Sequence, residues 1–186
     1  MFIQTEATPN PATLKFLPGR DVMGESPSRD FANSDRAAAS PLAAALFDVP
    51  DVCGVFFGAD FIAVTKAKGE WQHLKPAVLG VIMDHFTSGA PLFLDGGADI
   101  SSVDEDDDEV VAQIKELLDT RVRPAVAQDG GDIVFSEFDA ASGVVYLQMR
   151  GACAGCPSAT MTLQSGIENL LKHYVPEVSR VEPAIA

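Results

Sequence analysis

The sequence is poor in basic residues and in cysteine. Against 27 acidic residues it has only 13 lysines and arginines, which gives a formal net charge of -14 at pH 7. Because nucleic acids and anionic membrane surfaces attract basic proteins, this imbalance predicts that neither is a partner. Three cysteines, an odd number, do not make the paired framework of a small disulfide-rich protein.

Long hydrophobic segments are missing as well. No stretch approaches the roughly 18 apolar residues of a transmembrane helix. The first residues, MFIQTE, lack the basic start and apolar centre of a signal peptide. We therefore expect a soluble protein of a reducing compartment. With 186 residues and 47% hydrophobic content, the chain can bury one good core or two small ones.

The most informative segment is GACAGCP at 151–157, a CxxC motif that contains Cys153 and Cys156. Upstream, apolar and polar residues alternate as in a half-buried strand, and downstream apolar residues recur at helical spacing. The motif is therefore expected at the N-terminus of a helix. Unpaired N–H groups and the helix dipole at that position favour thiolate over thiol, and thiolate is the form that binds soft metals.

A CxxC pair alone is compatible with several kinds of site. It could be a zinc half-site, a dithiol redox pair, an iron-sulfur half-site or two cysteines in an ordinary loop. In a reducing compartment, metal or redox chemistry is favoured over the ordinary loop.

The number of available ligands decides among the metal sites. A structural zinc ion and a four-iron, four-sulfur cluster both prefer four protein ligands. The C-terminal region offers Cys153, Cys156 and at most His173, which lies roughly four helical turns away. One chain therefore supplies half a site, and a symmetric dimer supplies four thiolates. Such a shared, exposed cluster suits release better than electron transfer, which needs a permanently buried cluster.

The periodicity of the chain predicts two small α+β domains joined by an acidic linker. We expect an N-terminal domain at 1–88, a linker at 89–108 that includes most of the acidic run at 104–109, and a C-terminal domain at 109–186. In the C-terminal domain the predicted order is α-β-β-α-β: a helix over 109–127, strands over 133–138 and 144–149, a helix after the motif and a third strand over 178–181.

In the N-terminal domain we expect a strand at 13–17, a loop at 19–40, a short helix that Ser40 caps, a hairpin over 52–66 and a helix over 71–87. Cys53 is expected in the core, because free cysteine is among the most buried residue types. His73 and His85 are interpreted as surface or packing residues. The domain shows no nucleophile with a base, phosphate-binding loop or metal-spaced ligands, so we expect it to dock client proteins rather than to catalyse a reaction. The alternative is that it only stabilises or solubilises the C-terminal domain.

Two groups of motifs resemble the NifU-like, or Nfu, family of iron-sulfur scaffold and carrier proteins. DGGD at 129–132, the strand pair, and GACAGCPS at 151–158 with its amphipathic helix are similar to the family's C-terminal domain. TEATPNPATLKF at 5–16 and VFFG at 55–58 are similar to the N-terminal domain of its bacterial and mitochondrial members. Together they cover nearly the whole chain outside the linker.

This resemblance implies that Cys153 and Cys156 ligate a 4Fe-4S cluster that bridges two chains, so the protein is a homodimer when cluster-bound. It implies a non-catalytic scaffold or carrier that works with upstream cluster-assembly machinery and supplies apo iron-sulfur proteins. The expected compartment is the bacterial cytoplasm, or the mitochondrial matrix for a mature eukaryotic form. Two alternatives are a structural zinc-binding dimer and a thioredoxin-like dithiol oxidoreductase, although no parallel βαβ framework is apparent upstream of the motif.

Overall fold

The structure, a computed structural model, describes residues 1–26, 28–94, 108–152 and 157–184, with the backbone alone at 157–160. The chain divides into two compact units, Met1–Ile100 and Ser101–Ala186. Both units contain helices and strands, which confirms the predicted α+β class. Most of the predicted acidic linker, 95–107, lies outside the described residues. Among the described helices, none is long and apolar enough to cross a membrane.

The first unit contains a five-stranded antiparallel sheet in the order β1-β2-β5-β4-β3. Its strands are β1 (Gln4–Ala7), β2 (Thr13–Leu17), β3 (Arg29–Phe31), β4 (Val52–Phe57) and β5 (Ile62–Lys66). Its helices are α1 (Ser34–Ala37), α2 (Pro41–Phe47) and α3 (Trp71–Ser88). Buried side chains of α2, α3 and the sheet share one hydrophobic core.

Several predicted elements of this unit are confirmed. Ser40 caps α2, since its hydroxyl oxygen accepts a hydrogen bond from the Ala43 N–H at 3.3 Å, and Pro41 begins the helix. Strands β4 and β5 form the predicted antiparallel hairpin, with Val55 opposite Val64. Helix α3 covers the predicted span and ends at Gly89, which has a φ of 67°.

The predicted loop at 19–40 is wrong, because it contains both β3 and α1. Strand β3 pairs with the edge of β4, and its Phe31 is almost fully buried opposite Val55. A three-residue strand is too short to show an alternating pattern in the sequence. The Asn33 side chain caps α1 by accepting the Arg36 N–H at 3.0 Å.

The segment after α3 packs back onto the first unit. Leu92 and Phe93 contact the hydrophobic core, and the Phe93 ring lies 6.5 Å from Phe31 and 6.4 Å from Phe57. The Leu94 N–H donates to the Ala39 carbonyl at 3.0 Å. The first residues of the span predicted as linker are therefore anchored to this unit.

The second unit has the predicted order α-β-β-α-β. It contains α4 (Glu109–Leu117), a π-helical turn (Leu118–Val122), α5 (Arg123–Gln128), β6 (Gly131–Asp139), β7 (Val144–Gly151), α6 (Pro157–Tyr174) and β8 (Arg180–Pro183). The sheet order is β6-β7-β8, with β6 antiparallel and β8 parallel to β7. Helix α6 is thus the crossover between two parallel strands, and the CxxC motif lies where β7 leads into it.

The π-helical turn between α4 and α5 has a cause in the spacing of the buried residues. Ile114, Leu118, Val122 and Val126 recur at intervals of four and all are buried in the second core. In an α-helix each such step drifts by about 40° around the axis. The π turn is wider and holds more residues, so it rotates the buried positions that follow it back toward the side of the buried positions that precede it. All four side chains can therefore face the sheet.

Candidate functional site

The predicted ligands Cys153 and Cys156 lie outside the described residues, whereas both flanks of their segment are described. Strand β7 ends at Gly151, and α6 begins at Pro157. The prediction that the segment joins a strand to a helix is therefore confirmed. What the structure describes is the frame that holds its two ends.

The strand side of this frame consists of two adjacent glycine-containing segments. Gly131 and Gly151 are register partners, and the Ala152 N–H donates to the Gly130 carbonyl at 3.2 Å. Gly130 and Gly151 have φ angles of 79° and 64°, a region that L-residues with a Cβ seldom adopt. Ala152, immediately before Cys153, is only 3% exposed. The backbone entering the motif is therefore fixed by neighbouring chain.

A partly buried ion pair supports the glycine pair at 130–131. The Asp132 carboxylate, 4% exposed, accepts the Arg123 Nε–H at 2.9 Å and the Nη2–H at 3.0 Å. The same carboxylate accepts the Ile133 N–H at 2.8 Å. Bidentate pairing of this kind holds both planar groups in one orientation. Helix α5 is thereby connected to the beginning of β6, next to Gly131.

Arg123 also pairs with the π-helical turn, because its Nη1–H donates to Asp119 Oδ1 at 3.0 Å. The hydrogen bond with Asp132 is the main cause that raises the pKa of the Arg123 guanidinium, and burial opposes it. The guanidinium is therefore always charged. Arg123, Asp119 and the role of Asp132 were not predicted from the sequence. The one signal available was the spacing of four between apolar residues of this helix, which indicates an irregular turn beside them.

On the helix side, α6 is attached to both the core and β8. Ile167 and Leu171 are buried beneath it. The Gln164 amide donates to the Val181 carbonyl, and Glu168 Oε2 accepts the Val181 N–H at 3.2 Å. The helix that follows the motif is therefore held by apolar packing and by two hydrogen bonds to one strand residue.

The prediction that Cys53 belongs to the core is wrong: its side chain is exposed. The register between β4 and β5 shifts between Val52 and Gly54, which leaves Cys53 without an opposite residue. This bulge breaks the alternation, so Val52 instead of Cys53 packs against the core. The Cys53 thiol donates to the Thr65 carbonyl at 3.5 Å, and partial burial raises its pKa.

The histidines occupy the predicted surface and packing positions. His73 is exposed, whereas His85 is 9% exposed and packs edge-on against Phe86 at 5.5 Å. Burial lowers the pKa of His85 and so favours the neutral imidazole. Within 1–26, 28–94, 108–152 and 157–184, no three His, Cys, Asp or Glu side chains are grouped to hold a metal ion.

Comparisons with known proteins cover both units. Residues 3–89 match the family profile described as "Scaffold protein Nfu/NifU N terminal", and residues 114–182 match the "NifU-like domain". The chain is 54% identical to "NifU-like protein 5, mitochondrial" of Arabidopsis thaliana, over 98% of this chain and 67% of that protein. It is 55% identical to "NFU1 iron-sulfur cluster scaffold homolog, mitochondrial" of Drosophila sechellia, over 98% of this chain and 64% of that protein.

A solution NMR structure of a NifU-like protein from Saccharomyces cerevisiae aligns with a TM-score of 0.46 and 26% identity, over 51% of this chain and 86% of that chain. The chain spans 64% of the length of the Drosophila relative and 67% of that of the Arabidopsis relative.

Proposed function

The chain belongs to the NifU-like (Nfu) family, and from that membership we propose that it carries 4Fe-4S clusters to apo iron-sulfur proteins. Two chains hold one cluster between their Cys153 and Cys156 thiolates and then release it. The cluster is cargo supplied by upstream assembly machinery, and the chain itself catalyses no reaction. Both relatives named above are mitochondrial by name. For this chain, the mitochondrial matrix and the bacterial cytoplasm stay predictions.

One observation carries this proposal: the motif supplies two thiolates where a cluster prefers four. Among the described residues, no three His, Cys, Asp or Glu side chains are grouped to hold a metal ion by themselves. A second copy therefore completes it most simply. Incomplete ligation from each chain also favours transfer, because an acceptor's thiolates can replace one pair at a time.

The frame around the motif supports the same function. Its ends are fixed by the hydrogen bond from Ala152 to Gly130 and by the packed helix α6. A segment whose two ends are already held by the fold loses less conformational entropy when it binds a ligand.

Anaerobic reconstitution with iron and sulfide tests the proposal. We expect about two irons and two acid-labile sulfides per chain, and a dimer by analytical ultracentrifugation. Zinc in the site with fewer irons would favour the structural zinc dimer. Turnover in an insulin-reduction assay without any chromophore would favour the dithiol oxidoreductase. Against the latter, an antiparallel hairpin, β6–β7, precedes the motif.

We further propose that the first unit docks acceptor proteins. It has its own hydrophobic core, and an acidic, glycine-containing sequence separates it from the second unit along the chain. A docked acceptor experiences a higher effective concentration of cluster. Deletion of residues 1–100 should leave cluster assembly intact and slow transfer to particular acceptors, with recovery at high protein concentration. Unchanged transfer to every acceptor, or lost assembly, would contradict docking.

A further inference from the structure

The outward face of α6 is exposed and uncharged near the motif. Exposed positions follow one side of the helix at Met161, Thr162, Ser165, Gly166 and Asn169. Met161 is 70% exposed, the highest value among the large hydrophobic side chains described in the second unit. One exposed apolar side chain is ordinary at a protein surface, so the significance of Met161 depends on the uncharged face around it.

The charge pattern of the chain singles out the same face. Residues 151–167 contain no charged side chain, and this is the longest such run in a protein of net charge -14. Two copies of so acidic a chain repel each other wherever their charged surfaces meet. An interface about a two-fold axis brings each residue near its own copy, so an uncharged face suits self-association.

Gly166 is an independent observation. It lies in the interior of the 18-residue α6, where glycine weakens a helix relative to alanine. A Cβ added there would meet no atom within 4 Å. Packing against the part of the chain that the structure describes therefore gives no reason for glycine at this position. Close approach by a second molecule would give one.

We propose that this face of α6 is the contact between two copies of the chain when they share a cluster. The proposal rests on the proposed function, because a cluster shared by two motifs brings the beginnings of both α6 helices together. Met161 is the fifth residue of α6, which places it about 6 Å along the helix axis from Pro157. Its flexible thioether side chain adapts to a partner surface, and Gly166 lets the two backbones approach.

Two substitutions with matched controls test the proposal. Met161→Glu and Gly166→Ala change the α6 face. Met83→Glu and Gly80→Ala make the same changes on α3, also of 18 residues, where Met83 is 41% exposed and Gly80 likewise has no atom within 4 Å of an added Cβ. The measurements are apo melting temperature by circular dichroism, and dimer mass and iron per chain after reconstitution across a range of protein concentrations.

For Met161→Glu, we expect the concentration at half-dimerisation to rise at least about tenfold, because two carboxylates face each other. Gly166→Ala should raise the apo melting temperature and yet weaken the dimer, a combination that a purely structural glycine would not produce. Both α3 controls should load and dimerise as the wild type does.

The outcomes separate this proposal from the proposed function. Wild-type loading and dimerisation in both α6 variants would overturn the α6 contact alone, even if transfer to an acceptor slowed. A wild-type protein that loads clusters as a monomer would overturn both the sharing of a cluster and the contact. A wild-type protein that takes up no iron would overturn the proposed function, and the α6 contact with it.

Discussion

The core of the first unit combines buried aromatic rings with aliphatic side chains, whereas the buried core residues described in the second unit are all aliphatic. Phe16, Phe31 and Phe57 are buried in the first core, and the Phe31 and Phe57 ring centroids lie 5.1 Å apart. The second core is built around valine, leucine and isoleucine, with Phe135 and Phe138 only partly buried. Large rings give the first unit much buried area from few residues.

Buried polar groups show a second difference between the units. In the first unit they are dispersed: Ser40 caps α2, and Lys15 of β2 pairs with Glu6 of β1 at 3.5 Å. Among the described residues of the second unit, Asp132 is the one buried charged residue, and it connects a helix to the strand beside the motif. Positive φ angles at Gly130 and Gly151 occur at the same place. Two positive φ angles and a buried carboxylate thus lie beside the cysteine segment of the second unit.

The largest expected effect separates the cysteines of the two units. Cys153→Ser or Cys156→Ser removes two of the four thiolates of a shared cluster, one from each chain. Iron per chain after reconstitution should fall close to zero, while the circular dichroism spectrum of the apo protein stays unchanged. Cys53→Ser, the matched control in the first unit, should load normally. Loss of cluster in that control would show that the site draws on both units.

The next effect concerns the partly buried ion pair. Arg123→Met leaves the Asp132 carboxylate without its cation and should lower the unfolding free energy of the second unit by about 2–3 kcal/mol. Urea unfolding followed by circular dichroism measures the loss. Lys172→Met is the matched control, because it breaks a pair with Glu168 at the helix surface and should cost less than about 1 kcal/mol. An equal decrease in unfolding free energy in both variants would show that the pair with Asp132 contributes no more than a surface pair.

A smaller effect concerns the backbone beside the motif. Gly130→Ala places a Cβ at a φ of 79° and should destabilise the second unit by roughly 1–2 kcal/mol. Gly80→Ala in α3 should instead stabilise the first unit by up to about 1 kcal/mol, because that glycine has helical neighbours and open space. The two melting temperatures should therefore move in opposite directions. A rise for Gly130→Ala would show that its φ carries no strain.

The smallest effect depends on pH. The hydrogen bond from Lys172, followed by that from the Val181 N–H, lowers the pKa of Glu168 below its ordinary value of 4.5. Because the folded pKa is below the unfolded one, this stabilisation is present above pH 4.5 and is lost as pH falls through the folded value. Glu168→Gln should cost less than about 1 kcal/mol at pH 7, and the difference from wild type should shrink in acid.

The control for this pH effect is Glu177→Gln at an exposed position after α6. Chemical unfolding of both variants between pH 3 and 7 gives the comparison. A difference between wild type and Glu168→Gln that stays constant over this range would contradict the assignment to Glu168.

Elements with strong local patterns could be predicted from the sequence. The hairpin β4–β5, the capped helix α2 and the boundary of α6 at Pro157 all follow from turn, cap and periodicity signals. The features that were missed depend on pairing across the fold. The bulge that exposes Cys53 depends on the register between β4 and β5. Strand β3 depends on its pairing with β4.

The candidate site divides in the same way. The cysteine pair and its position between strand and helix could be recognised from residues alone, and its role as a ligand pair stays a prediction. The ion pair between Arg123 and Asp132 could not, because it joins the two sides of a turn whose geometry depends on the π-helical segment. Strand β8 begins two residues later than predicted, because Val178 is used in the turn after α6, where its N–H donates to the Val175 carbonyl.

The hydrogen bonds at Val181 and Ile133 also bear on aggregation. Strands β8 and β6 are the two edges of a small sheet, and open edges recruit further strands. Glu168 and Gln164 occupy both backbone groups of Val181, and Asp132 occupies the N–H of Ile133. Side chains thus close backbone positions at each edge, which hinders an incoming strand from extending the sheet there.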